Sequence, residues 1–182
     1  MTEINDAAHQ QHHFAFCVQY HGGAFRGWQR QNEQASVQGE LERALGTIAN
    51  QPIALRAAGR TDAGVHGTGQ IAAFSTNADR PVDQWLRGVN GLTPATIQVS
   101  WFKPVAAEFH PRFDAVVRRY TYLFHDRGRS NPFMSDLAWC TDALDESAMH
   151  VAAQILLGEH DFSSFRGAGC QSLTPMRRVD RC

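Results

Sequence analysis

Lysine is nearly missing from this chain of 182 residues: seventeen basic side chains are present and Lys103 is the one lysine among them. No Walker-type glycine-lysine segment can therefore be built, which excludes a P-loop phosphate cradle. No apolar run approaches the roughly 20 residues of a membrane span. Residues 1–13 are polar and lack the apolar centre of a signal peptide, so a soluble protein with a cytoplasmic address and no membrane partner is expected. Cys17, Cys140, Cys170 and Cys182 are scattered without a Cys-x-x-Cys spacing, which indicates neither a zinc site nor a disulfide framework and leaves them as free thiols. A net charge of −1 removes bulk electrostatic attraction to nucleic acid.

Several features stand against these absences. A hydrophobic content of 43% is enough to bury a core in one large domain or two small ones. The preference for arginine suits bidentate phosphate contacts and stacking on bases, although a compositional bias of the source genome would produce the same count. Residues 58–70 hold four glycines, Gly59, Gly64, Gly67 and Gly69, around a single acid, Asp62. Glycines at this density mark a tightly folded loop and not a helix. Asp62 either caps a turn, as Thr-Asp-Ala-Gly often does, or is a carboxylate presented for chemistry. Arg60 is close by in sequence, and its charge would favour the ionised form.

Elements follow from periodicity. Residues 1–13 read as a mobile tail containing His9, His12 and His13. Phe14, Phe16, Val18 and Tyr20 alternate with less apolar residues, as in a half-buried strand. Ser36 can cap a helix that carries Val37, Leu41, Leu45 and Ile48 on one face and ends near Asn50. Residues 53–58 and 70–76 read as strands on either side of the Asp62 loop. Pro81 opens a second helix with Trp85, Leu86 and Val89, and residues 97–102 are strand-like. The order is β-α-β-β-α-β, a ferredoxin-like unit within an α+β fold. It spans residues 14–103, and residues 104–182 begin a second unit, with a strand at 118–125 that places Tyr120, Tyr122 and Phe124 on one face. A helix at 145–157, with Met149, Ala152, Ala153 and Leu156 inward, stops at Gly158, and another strand starts at 178.

Other motifs have plainer explanations. Residues 64–69 run Gly-x-x-Gly-x-Gly without a following helix, so a nucleotide cofactor is not indicated. His66 lies four residues from Asp62, but in a glycine-rich loop it reads as structural. Glu159, His160 and Asp161 read as a solvated helix end, and Phe162 and Phe165 as anchors of a turn in the core.

Residues 59–66, Gly-Arg-Thr-Asp-Ala-Gly-Val-His, resemble the signature of the tRNA pseudouridine synthase A family. So do Gly-Trp-Gln-Arg-Gln-Asn at 27–32, Ser-Val-Gln at 36–38, Phe-His-Pro-Arg-Phe at 109–113, Arg-Arg-Tyr-Thr-Tyr at 118–122 and Asp-Phe-Ser-Ser-Phe-Arg at 161–166, in family order. The resemblance implies two ferredoxin-like units facing each other across a cleft, the second incomplete in this chain. It implies Asp62 as a nucleophile that needs no metal or cofactor, Arg60 as an aid to base flipping, and Tyr120 as the ring that holds the base, with Arg118 and Arg119 near phosphate. Arg80, then Phe109, His110, Pro111, Arg112 and Phe113, then Gly169, Cys170, Gln171, Ser172 and Leu173 match tRNA-contact segments. Leu173 departs from the family, where that position is often basic. The implied substrate is the anticodon arm of tRNA at positions 38 to 40, and the implied assembly of the completed chain is a homodimer. Two other functions fit the residues: a non-catalytic ferredoxin-like RNA-binding module, or a small hydrolase using Asp62 with His66.

Overall fold

The alternation of apolar side chains near the start of the chain becomes β1 (His12–Tyr20), the strand on which the first half of the protein is assembled. The computed structural model describes residues 11–125, 131–167 and 172–182, in two units that divide after Tyr120. In the first unit β1 is followed by α1 (Val37–Ala49), β2 (Arg56–Ala57), β3 (Gly67–Thr76), α2 (Val82–Leu92) and β4 (Ile97–Pro104). These strands form one antiparallel sheet in the order β2-β3-β1-β4, so the β-α-β-β-α-β order expected from the pattern is the one observed.

Both helices cover one face of the sheet. Phe14, Phe16, Val18 and Tyr20 of β1, with Phe74 of β3 and Val99 and Phe102 of β4, are buried under Leu41, Leu45, Trp85 and Val89. Complete burial of side chains of this size contributes about 1.5 to 3 kcal/mol each. Ser36 caps α1 by accepting the Gly39 N–H at 3.2 Å, and Asn50 ends the helix in the left-handed conformation at φ 53°. The helices touch where Ile48 lies over Gly88, at which a Cβ would stand 2.8 Å from the isoleucine Cδ1.

Two irregularities shape the sheet. Between Cys17 and Val18 the pairing with β4 shifts, and Asn90 of α2 compensates by bonding both the N–H and the carbonyl of Val99, at 2.8 and 2.9 Å. Between Val18 and Tyr20 the pairing with β3 also shifts, so an extra residue of β3 is accommodated where that strand leaves the 58–66 loop.

Three expectations for this unit shift. β1 begins at His12, two residues inside the expected tail, because His12 and His13 pair with Thr76 and Ser75. β2 is reduced to two residues, since the Leu55 N–H is taken by the Glu42 carboxylate at 3.0 Å. β3 starts at Gly67, before the expected residue 70, and the glycine is required there because a Cβ would fall 2.5 Å from the Tyr20 ring.

The second unit differs more from expectation. The strand expected at 118–125 is confined to β5 (Phe124–His125), paired in parallel with β6 (Trp139–Cys140). Tyr120 and Tyr122 precede that ladder, are exposed, and have no strand beside them among the described residues. The expected helix appears as α3 (Glu146–Ala153), capped by Asp145, followed by a 3-10 turn at Gln154–Leu156. It buries none of its residues, and the expected inward Met149 and Ala152 are exposed. Glu159, His160 and Asp161 are solvated, as expected, but are not a helix end: with Gly158 they form β7 (Gly158–Asp161), paired antiparallel with β8 (Met176–Val179). Phe165 does not anchor a core either, since it is 80% exposed with its ring against Phe162 at 5.8 Å.

Candidate active site

Asp62 lies in the connection between β2 and β3, and the residues on both sides of it are tied to other parts of the first unit. At the root, Ala58 donates its N–H to Ile71 at 2.8 Å and Gln70 Nε2 donates to the Gly59 carbonyl at 2.6 Å, so a side chain continues the ladder where backbone pairing stops. Next to the acid, the Thr61 carbonyl accepts the Trp28 N–H and its hydroxyl bonds the Tyr20 hydroxyl, each at 2.9 Å. Past the acid, Val65 N–H turns back to the Asp62 carbonyl at 3.2 Å, and Gly64, at φ +80°, donates to Phe25 at 3.4 Å. His66 Nδ1 accepts the Gly22 N–H at 3.2 Å, and its ring stands edge-on to His21 at 4.3 Å.

The platform under the loop is therefore residues 20–28. Its own glycines make close approach possible: a Cβ on Gly22 would collide with the Val65 carbonyl, and one on Gly27 would lie 2.7 Å from the Thr61 oxygen. Gly27 also adopts φ +95°, which L side chains rarely take. Tyr20, Phe25 and Trp28 are buried beneath, with the Tyr20 and Trp28 rings 5.8 Å apart. Burial raises the Tyr20 phenol above its ordinary pKa, and the bond to Thr61 offsets this in part. No period in the sequence marks this platform, of which only residues 27 and 28 fall in a block of family resemblance. Its signal was Gly22, Gly23 and Gly27 in a stretch otherwise rich in aromatic residues.

Asp62 itself is exposed, and among the described residues its carboxylate makes no hydrogen bond or ion pair. Arg60 is exposed too and forms no ion pair with it. A carboxylate that is held in place through its backbone, with its oxygens uncommitted, can attack an electrophile or take a proton. His66, by contrast, uses a ring nitrogen to hold Gly22, a structural task that requires that nitrogen to be unprotonated.

The 109–113 segment folds into a turn in which Phe113 and Asp114 donate to the His110 carbonyl at 3.1 and 2.9 Å. Pro111 is buried, while Phe113 is exposed with His110 stacked on it at 4.3 Å and the Arg112 guanidinium 5.8 Å from its centre. Arg118 connects this turn to the loop root: it donates to the Ala58 carbonyl at 3.1 and 3.0 Å and to the Arg112 carbonyl at 2.6 Å. Arg80 is exposed before α2 and bonds the Asp79 carbonyl at 3.1 Å. In the second unit, Ser172 accepts from Arg166 at 2.6 Å and Leu173 is fully exposed. Gly169, Cys170 and Gln171 lie outside the described residues. Cys17, Cys140 and Cys182 are free thiols. Among the described residues no group of three His, Cys, Asp or Glu side chains is arranged to hold a metal, and no helix is long and apolar enough to cross a membrane.

Residues 16–114, which include the second half of β1, the platform, the Asp62 loop and the 109–114 turn, match the family model described as tRNA pseudouridine synthase. The chain belongs to the tRNA pseudouridine synthase family. It is 49% identical over 166 residues to the tRNA pseudouridine synthase A of Aliivibrio salmonicida and to that of Hydrogenovibrio crunogenus, and 50% identical to that of Actinobacillus pleuropneumoniae. In each case the match covers 91% of this chain and 63% of the relative. The chain thus spans a little under two thirds of the length of the curated synthases it matches.

Proposed function

We propose that the protein isomerises uridine to pseudouridine in tRNA, with Asp62 as the nucleophile. The observation that carries this is the uncommitted Asp62 carboxylate on a loop held from both sides. Membership of the family and the activity its relatives are named for supply the substrate class. Uridine and pseudouridine are isomers, so nothing is consumed: the bond from C1′ to N1 breaks, the uracil turns, C1′ joins C5, the C5 hydrogen leaves to solvent as a proton, and N1 takes up a proton in its place. A carboxylate nucleophile suffices in kind, and no electron or group donor is required.

The target is the anticodon arm at positions 38 to 40. Extruding a stacked base costs a few kcal/mol, which Arg60 offsets by occupying the space left behind, while Tyr120 stacks on the flipped ring. Arg80, the 109–113 turn and residues 169–173 contact the tRNA. Pairing of two ferredoxin-like units, a homodimer and a cytoplasmic address complete the proposal.

The test is tritium release from uracil-labelled tRNA by the protein as its gene encodes it, compared with Asp62→Asn. A loss of at least a thousandfold is expected, since removing a covalent catalyst costs far more than removing a contact. Turnover within tenfold of the parent would refute the assignment. Tight tRNA binding by a parent that releases no tritium would favour the RNA-binding module instead.

A further inference from the structure

Arg118 commits its guanidinium to backbone. Nε and Nη2 converge on the carbonyl of Ala58, and Nη2 also reaches the carbonyl of Arg112. Ala58 is the first residue of the loop that carries Asp62, and Arg112 sits in the turn that exposes Phe113. One planar cation thus joins two segments that are 54 positions apart, by subtraction of their numbers, and that have separate proposed tasks.

We propose that Arg118 is a positioning residue: it sets the Asp62 loop against the RNA-facing turn and does not hold a phosphate. This rests on the Asp62 reading above. The donor geometry favours it, because Nε and Nη2 on one rigid plane donate to a single carbonyl oxygen while Nη2, which carries two N–H groups, also donates to a second carbonyl. Lysine has the charge but not the plane, and a compact ammonium cannot hold this geometry. A phosphate contact behaves otherwise, since there charge dominates and lysine serves well. The same bonds give the turn a route to the acid, so that RNA seated on residues 109–113 would steady the loop root.

The experiment compares Arg118→Lys and Arg118→Gln with the parent, in the protein as its gene encodes it. Steady-state kinetics on tRNA are measured, together with the salt dependence of tRNA affinity and hydrogen exchange of peptides covering residues 58–66, 109–114 and β1. Expected for both variants is a fall in kcat of roughly 10- to 100-fold, with KM within about twofold, because misplacement of a reacting group acts on turnover. The salt slope should be unchanged, and exchange should quicken in the 58–66 and 109–114 peptides while β1 stays as in the parent. Recovery of turnover by Arg118→Lys, or a salt slope lowered by about one, would identify a phosphate contact and overturn the proposal. Faster exchange in β1 would overturn it as well, by making the residue a support of the whole unit. A parent that makes no pseudouridine would sink the Asp62 reading. Exchange alone then decides for Arg118, and unchanged exchange at 58–66 counts against it.

Discussion

Replacing Gly27 by alanine tests whether the platform holds the loop. The added Cβ would stand 2.7 Å from the Thr61 oxygen, 3.2 Å from the Asp62 carbonyl carbon and 3.3 Å from the Ala63 nitrogen, all of them backbone atoms. Relief therefore requires the loop to retreat by roughly 0.7 Å, since ordinary contact begins near 3.4 Å and none of these atoms can rotate away. At φ +95° a side chain adds about 1 to 2 kcal/mol of strain. The neighbouring bond from Trp28 to Thr61 would stretch at the same time, at a cost of about 1 kcal/mol. Together these give about 2 to 3 kcal/mol of lost stability, read as a lower urea midpoint at unchanged slope. A displacement of this size at the acid should lower kcat for pseudouridine formation by roughly tenfold or more. Gly59→Ala is the control within the same loop, since a Cβ there meets nothing within 4 Å and Gly59 has no positive φ. That change should be neutral, or stabilise by a few tenths of a kcal/mol. Equal midpoints and equal turnover for the two variants would show that the platform does not position the loop.

Two further expectations concern tyrosines. Because burial raises the Tyr20 pKa, the neutral phenol is the form that folding favours. Its contribution is complete below the unfolded value of about 10 and is lost as the pH rises from there through the folded value, so Tyr20→Phe should flatten the alkaline limb of a stability profile and cost about 1 kcal/mol at neutral pH. An unchanged alkaline limb would contradict this. For Tyr120, a Phe variant should keep tRNA affinity while a Leu variant loses up to about 1 to 3 kcal/mol of it, and equal defects would argue against stacking.

The first unit was legible because its side chains repeat. Phe14, Phe16, Val18 and Tyr20 obey the strand period, and Val37, Leu41 and Leu45 the helical one, and all seven are buried. Asp62 was legible as the single acid in a glycine-rich stretch. The platform was not, because Gly22 and Gly27 have their effect through the backbone of residues about forty positions away, which no local period records. Arg118 was legible as a cation, but its use depends on two carbonyls that no side-chain pattern reveals. The alternation from Tyr120 to Phe124 suggested a longer strand than exists, since alternation indicates a surface with two faces and does not supply the neighbouring strand.

The bonds that hold the Asp62 loop also determine when it can form. Tyr20 meets Thr61 across 41 positions and Gly22 meets His66 across 44, so the short-range bonds within the loop cannot by themselves seat it on the platform. Closing a circuit of that length has to be repaid by the β1-β3 ladder beside it, which makes the acid's geometry a late product of folding. During synthesis the platform leaves the ribosome first, and Phe25 and Trp28, buried in the finished core, wait uncovered until the rest of that core follows. An interruption between the two would expose those rings to any passing apolar surface, so the same arrangement that organises the acid gives the nascent chain an interval in which chaperones have something to hold.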